Sequence, residues 1–190
     1  MEREELTEAQ SQHMRAFIAA LRSGNYRQGR RYLKTTYNYD TTEQSEVPLH
    51  CCLGVAVEQA IIDGCPVQWR TDFSTSYAVP DADQSGQDAK GLPYVLQTWY
   101  GIENMYGYVT VACRELGRRS TDLLCSGGAN AQAAHSIGGD LGTCDGNVRI
   151  EATKLNDTYK WSFNQIADAF ERTYLHPAVP AQRDGFEEDQ

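Results

Sequence analysis

The chain has 190 residues, of which 41% are hydrophobic and 23% charged, and its formal net charge is −9. That length supports one core, burying roughly 70% of the surface the unfolded chain exposes, and the composition is that of an ordinary globular domain. The negative charge argues against duplex nucleic acid as a partner, because affinity there comes mainly from neutralised phosphates. No apolar run approaches the ~18 residues of a membrane span. The acidic N-terminus lacks the apolar stretch of a secretory signal, so the expected location is the cytoplasm, where the six cysteines would stay reduced.

Thr7 and Gln10 have the spacing of a capping box. Met14, Phe17, Ile18 and Leu21 then fall on one helical face and Gly24 supplies a stop, which predicts a helix over 8–23. Residues 25–39 are rich in Tyr and Thr and predict one or two strands with a bend near Gly29. Residues 40–48 read as a polar loop. The apolar stretch from His50 to Ile62, closed by Asp63 and Gly64, predicts a buried helix packed through Cys51, Cys52, Val55, Ala56, Val57 and Ile61.

A short strand is expected within 66–79 and a loop over 80–91. Leu92 and Pro93 open a short helix whose apolar face is Val95, Leu96 and Trp99, and Gly101 ends it. Residues 105–112 suit a strand. The stretch 126–147 holds Gly127, Gly128, Gly138, Gly139, Gly142 and Gly146. A Gly-rich loop of this length is either disordered or functional. Residues 148–155 alternate as a strand, Asn156 and Asp157 begin a turn, and Ser162 with Gln165 caps a helix over 163–175. After Pro177 and Pro180 the acidic tail, 179–190, reads as disordered. The fold class expected is α+β: one compact domain over 1–178, with a small, mostly antiparallel sheet packed by about four helices.

Three blocks recur together: Ala20 to Gly24 with Tyr26, Gln28 and Gly29; Cys51-Cys52-Leu53-Gly54-Val55; and Leu155-Asn156-Asp157 followed by Ser162, Phe163, Ile166 and Ala167. In this order they resemble a group of small bacteriophage and prophage proteins. The segments 34–49 and 126–147 look like insertions relative to that pattern. The resemblance carries no catalytic residue to transfer. It implies an accessory protein that acts by binding, either blocking a host protein or sequestering a host signalling nucleotide.

The candidate site rests on charge distribution. No Asp or Glu occurs between Ala9 and Tyr39, while Arg27, Arg30, Arg31 and Lys34 crowd together with Tyr26 and Tyr32. Guanidinium groups bind phosphate through paired hydrogen bonds, and tyrosine rings stack on bases or on the arginines themselves. Within a strand, Arg30, Tyr32 and Lys34 would share one face. The same residues also suit a solvated edge strand whose charges deter aggregation. Ser126 and Asn130 of the Gly-rich stretch could add hydrogen-bond donors to a phosphate, and Trp99 is the tryptophan best placed to serve both core and ligand. There is no P-loop or dinucleotide fingerprint, and no zinc spacing. No cofactor or metal is expected. The leading expectation is capture of a small anionic, nucleotide-like ligand by a homo-oligomer, an anti-defence role. The alternatives are a protein–protein inhibitor of a host enzyme and a nucleotide hydrolase.

Overall fold

A computed structural model describes residues 5–72, 75–80, 90–119 and 147–176. The first helix, α1 (Glu8–Arg22), forms where its caps and apolar face place it. Thr7 and Gln10 exchange side-chain and backbone hydrogen bonds in a full capping box, and Met14, Phe17, Ile18 and Leu21 are all buried. Satisfying two of the four orphan N–H groups at the entry is worth about 1 kcal/mol.

The chain then runs through β1 (Arg27–Gln28), β2 (Lys34–Asn38) and β3 (Glu43–His50) into α2 (Cys52–Ile62), and on through β4 (Val67–Asp72), β5 (Thr75–Pro80) and α3 (Tyr94–Tyr100). The strand β6 (Tyr108–Ala112) leads into a 3₁₀ segment over Cys113–Arg119. β7 (Asn147–Glu151), α4 (Ala152–Asp157) and α5 (Phe163–Phe170) follow, and α5 continues as a π-helical turn over Glu171–Leu175. Five strands form a mixed, mostly antiparallel sheet in the order β1-β3-β2-β5-β4, with β6 and β7 as a separate antiparallel pair. Among the described residues, the one parallel pairing joins β1 to the end of β3, with Arg27 opposite Leu49 and Gln28 opposite His50. The molecule is a single α+β domain, as the element pattern predicts.

The core lies where α1 packs on α2 and α5. Phe17 sits at its centre, its ring 5.5 Å from that of Tyr100 and 5.0 Å from Phe170. The Tyr100 hydroxyl donates to Ala56 O at 2.7 Å, and burial pushes its acidity well down by raising its pKa. A polar tip so deep in a core needs such a partner.

Four expectations are corrected. The segment 40–48 is mainly strand β3 and not loop: its residues Glu43–Pro48 are nearly all exposed, so no apolar alternation marks them, and only Leu49 and His50 turn inward. The buried helix starts at Cys52, with His50 ending β3 and Cys51 as the N-cap. The strand expected to reach residue 155 stops at Glu151, and Ala152–Asp157 is helical; a short apolar run fits either period. Cys51, Cys52 and Cys65 form no disulfide, while Cys113 is disulfide-bonded, against the expectation of reduced thiols throughout. The Gly-rich stretch 126–146 and the tail from 177 lie outside the described residues. Among the described residues no helix is long and apolar enough to cross a membrane.

Candidate functional site

The three sequence blocks meet in space at a buried polar knot. Gln28 donates through Nε2 to Asn156 Oδ1 at 2.9 Å and to Trp161 O at 2.7 Å. Asn156 donates through Nδ2 to Gly29 O at 2.8 Å and to Asp157 Oδ1 at 2.7 Å. The Gly29 N–H donates to His50 O at 2.7 Å, and a Cβ at position 29 would lie only 2.7 Å from Leu49 Cβ, so only glycine lets β1 approach β3 this closely. The Cys52 thiol reaches Ala152 O at 3.6 Å. Burial pushes that thiol's pKa well up, so it stays protonated and packs as a small hydrophobe.

The knot fixes the loop between β1 and β2. Arg30 donates through Nε to Asp40 Oδ2 at 2.5 Å and through Nη1 to Asn156 O. The Arg30 guanidinium beside it, with Lys160 behind, holds the Asp40 carboxyl below its usual range. Arg31 takes the left-handed conformation, φ 71°, which costs a non-glycine residue about 1 kcal/mol. Its N–H donates to Asp157 Oδ1 at 3.1 Å, an anchor that offsets the strain. The reversal throws the Arg31 side chain outward over the Tyr39 ring, 4.9 Å from its centroid.

Two cations and three tyrosines gather there. Lys90 Nζ lies 5.7 Å above the Tyr32 ring, the Tyr32 and Tyr39 rings are 5.6 Å apart, and Tyr37 meets Tyr39 edge-on at 4.8 Å. Burial, and then the hydrogen bond with Tyr32, raises the Tyr39 pKa, so the Tyr39 hydroxyl remains protonated. Arg31 and Lys90 also line a cavity of about 110 Å³ shared with Cys51, Tyr106, Glu151, Thr153 and Asp157. Two cations face two carboxylates in that lining, but Asp157 Oδ1 is taken up by the Arg31 and Asn156 N–H groups, and Glu151 is met by Lys154 at 3.5 Å.

The structure separates the other predicted residues. Lys34 donates through Nζ to Glu58 Oε1 at 2.8 Å and lies 5.0 Å over the Trp69 ring. His50 Nε2 is 3.1 Å from the same Glu58 oxygen, and Tyr26 stands edge-on to His50 at 5.5 Å. These form a second, half-buried cluster. Burial alone would raise the Glu58 carboxyl; the hydrogen bonds from His50 and Lys34 outweigh it and hold the group at about 2. Arg27 is exposed on β1. Trp99 lies on α3, stacked with His13 at 3.8 Å. Ser126 and Asn130 are outside the described residues. The expected shared face of Arg30, Tyr32 and Lys34 does not form, because residues 29–33 are a turn and only position 34 is in a strand. Of the predicted set, Arg31 and Tyr32 come together at the cavity, with Arg30 neutralised just behind.

Sequence reasoning missed Tyr37 and Tyr39, which belong to the same Tyr-rich run and could have been included. It also missed Lys90 and Tyr106, which no local pattern distinguishes. Among the described residues no three His, Cys, Asp or Glu side chains group as a metal site.

The candidate site is thus a small cavity lined by Arg31 and Lys90, beside the tyrosines those two cations cover, in a single α+β domain. The chain belongs to the DUF8296 family, described as a domain of unknown function, which matches residues 10–174. No curated protein and no solved structure matches it.

Proposed function

We propose that the protein binds a small phosphate-bearing, nucleotide-like ligand at the Arg31–Lys90 face. The observation that carries this reading is the placement of two cations over two adjacent tyrosine rings at the rim of a cavity they both line. The cavity, about 110 Å³, suits one phosphoryl group and not a whole nucleotide. The phosphate would take paired hydrogen bonds from Arg31 and a point charge from Lys90. A base would stack outside it, on the tyrosines that the cations now cover. In the phage setting that the sequence resemblance suggests, capture without turnover would remove a host signalling nucleotide.

Isothermal titration against a panel of mono- and cyclic nucleotides tests the reading. Binding that weakens as salt rises, and that is lost in Arg31→Ala, supports it. No binding by any nucleotide, or unchanged affinity in Arg31→Ala and Lys90→Ala, overturns it. Chromatography of the same mixtures separates capture from hydrolysis: a consumed nucleotide would make the protein an enzyme.

A further inference from the structure

We propose that the groove between α1 and α3 is the interface of a two-fold symmetric dimer, with a second copy of this chain as its occupant. The inference stands apart from the ligand reading. The groove has a volume of about 580 Å³ and shares no residue with the cavity lined by Arg31 and Lys90. Its walls are Ala9, Gln10 and His13 of α1 and Tyr94, Val95 and Trp99 of α3. The groove is lined mostly by apolar surface in a chain whose acids outnumber its bases, 26 to 17.

Three observations select a second copy. The first is shape. Tyr94 is 79% exposed, the most exposed of the large hydrophobic residues on the surface described, and it stands at the edge of the groove it helps to line. Knob and hole share one face, which is what an isologous two-fold contact requires: each copy offers its tyrosine to the other's groove. The second is charge. Among the described residues no Asp, Glu, Lys or Arg lines the groove. Two copies each carrying −9 repel through most approaches, and a face without charge is where they can meet. A foreign partner attracted by that net charge would be basic and would seat on carboxylates, which this groove does not offer. The third is rigidity. Gln10 donates through Nε2 to Thr98 O at 2.9 Å, tying the two helices together, and the Trp99 ring is clamped under His13 at 3.8 Å. The floor is therefore preformed, and docking on it costs little ordering entropy.

Sedimentation velocity of the full chain over a concentration series tests this, with far-UV circular dichroism as the check on folding. The wild type should show a concentration-dependent monomer–dimer equilibrium. Tyr94→Glu should move its midpoint up by roughly 100-fold or more, since one substitution removes two anchors across the axis. Ala9→Glu should do the same from the other wall. Ile62→Glu, at a residue 69% exposed and outside the groove, should leave the midpoint alone. A photo-crosslinking amino acid at position 94 should join the protein to itself. A wild type that stays monomeric throughout, a dimer indifferent to both groove variants, or crosslinking from position 94 to a host protein instead of a second copy would overturn the proposal.

Discussion

Gln28 and Asn156 are joined side chain to side chain at 2.9 Å across 128 residues of sequence. Asn156 is fully buried and uses its Oδ1 and both directions of its amide: it accepts from Gln28 and donates to Gly29 O and to Asp157. Asn156→Ala leaves the Gly29 carbonyl without this donor and Gln28 with only Trp161 O. Buried groups so orphaned cost about 1–3 kcal/mol each, so a loss of about 3 kcal/mol is expected in urea unfolding. Asn156→Asp should be nearly as costly, because a carboxylate cannot donate to Gly29 O. A loss under about 1 kcal/mol for either variant would show that water replaces the amide and that the knot is not a unit.

Two glycines of the three sequence blocks make a sharp contrast. A Cβ on Gly54 would sit 1.7 Å from Leu33 O, inside the backbone of the chain entering β2, whereas a Cβ on Gly24 would meet nothing within 4 Å. Gly54→Ala forces α2 and β2 apart and should cost more than about 3 kcal/mol, enough to leave the protein insoluble. Gly24→Ala meets only the penalty of its φ of 74°, about 1 kcal/mol. Thermal melts that rank the two the other way round would contradict the packing described here.

Acid should destabilise the fold through Glu58. Its carboxyl falls from an ordinary 4.5 to about 2 in the folded state, so it contributes stability that is present above the unfolded value and is lost as pH falls from about 4.5 toward 2. The contribution is at most about 3 kcal/mol. Glu58→Gln removes the dependence and gives Lys34 and His50 a neutral amide oxygen in place of the carboxylate they share, so the variant should be less stable at neutral pH yet show a flatter pH profile below 5. A parallel shift of the whole profile, with its acid slope intact, would mean that another carboxylate carries the effect.

The sequence made α1 and α5 legible because caps and apolar periodicity are local signals: both capping boxes, at Thr7 and Ser162, form as read. It hid β3, since a strand exposed over Glu43–Pro48 has no alternation to display. The site was legible in part. The acid-free run did mark Arg31 and Tyr32. It could not show that Arg30 would be neutralised by Asp40, or Lys34 by Glu58, because those carboxylates arrive from β-turn and helix through tertiary folding. The sharpest lesson lies at Arg31 itself. A left-handed turn, which nothing in the residue types at 29–33 beyond Gly29 announces, redirects the chain so that neighbours in sequence point to different faces.

That turn also gives the binding proposal a test in which stability and affinity move apart. Arg31→Gly removes the guanidinium while relieving the φ of 71°. Relief of about 1 kcal/mol is offset by glycine's greater entropy in the unfolded chain, about 0.5–1 kcal/mol, and by the lost contact with Tyr39, of similar size at an exposed site. Stability should stay within about 1 kcal/mol of wild type. Affinity for a phosphate-bearing ligand should fall by roughly 10- to 100-fold, the worth of a charged hydrogen bond. Lys34→Met should do the reverse, costing stability because Glu58 keeps only His50 as a partner and leaving affinity unchanged, since Lys34 belongs to the other cluster. If Lys34→Met weakens binding as much as Arg31→Gly does, the ligand sits on the His50–Glu58 side and the cavity under the tyrosines is not the site.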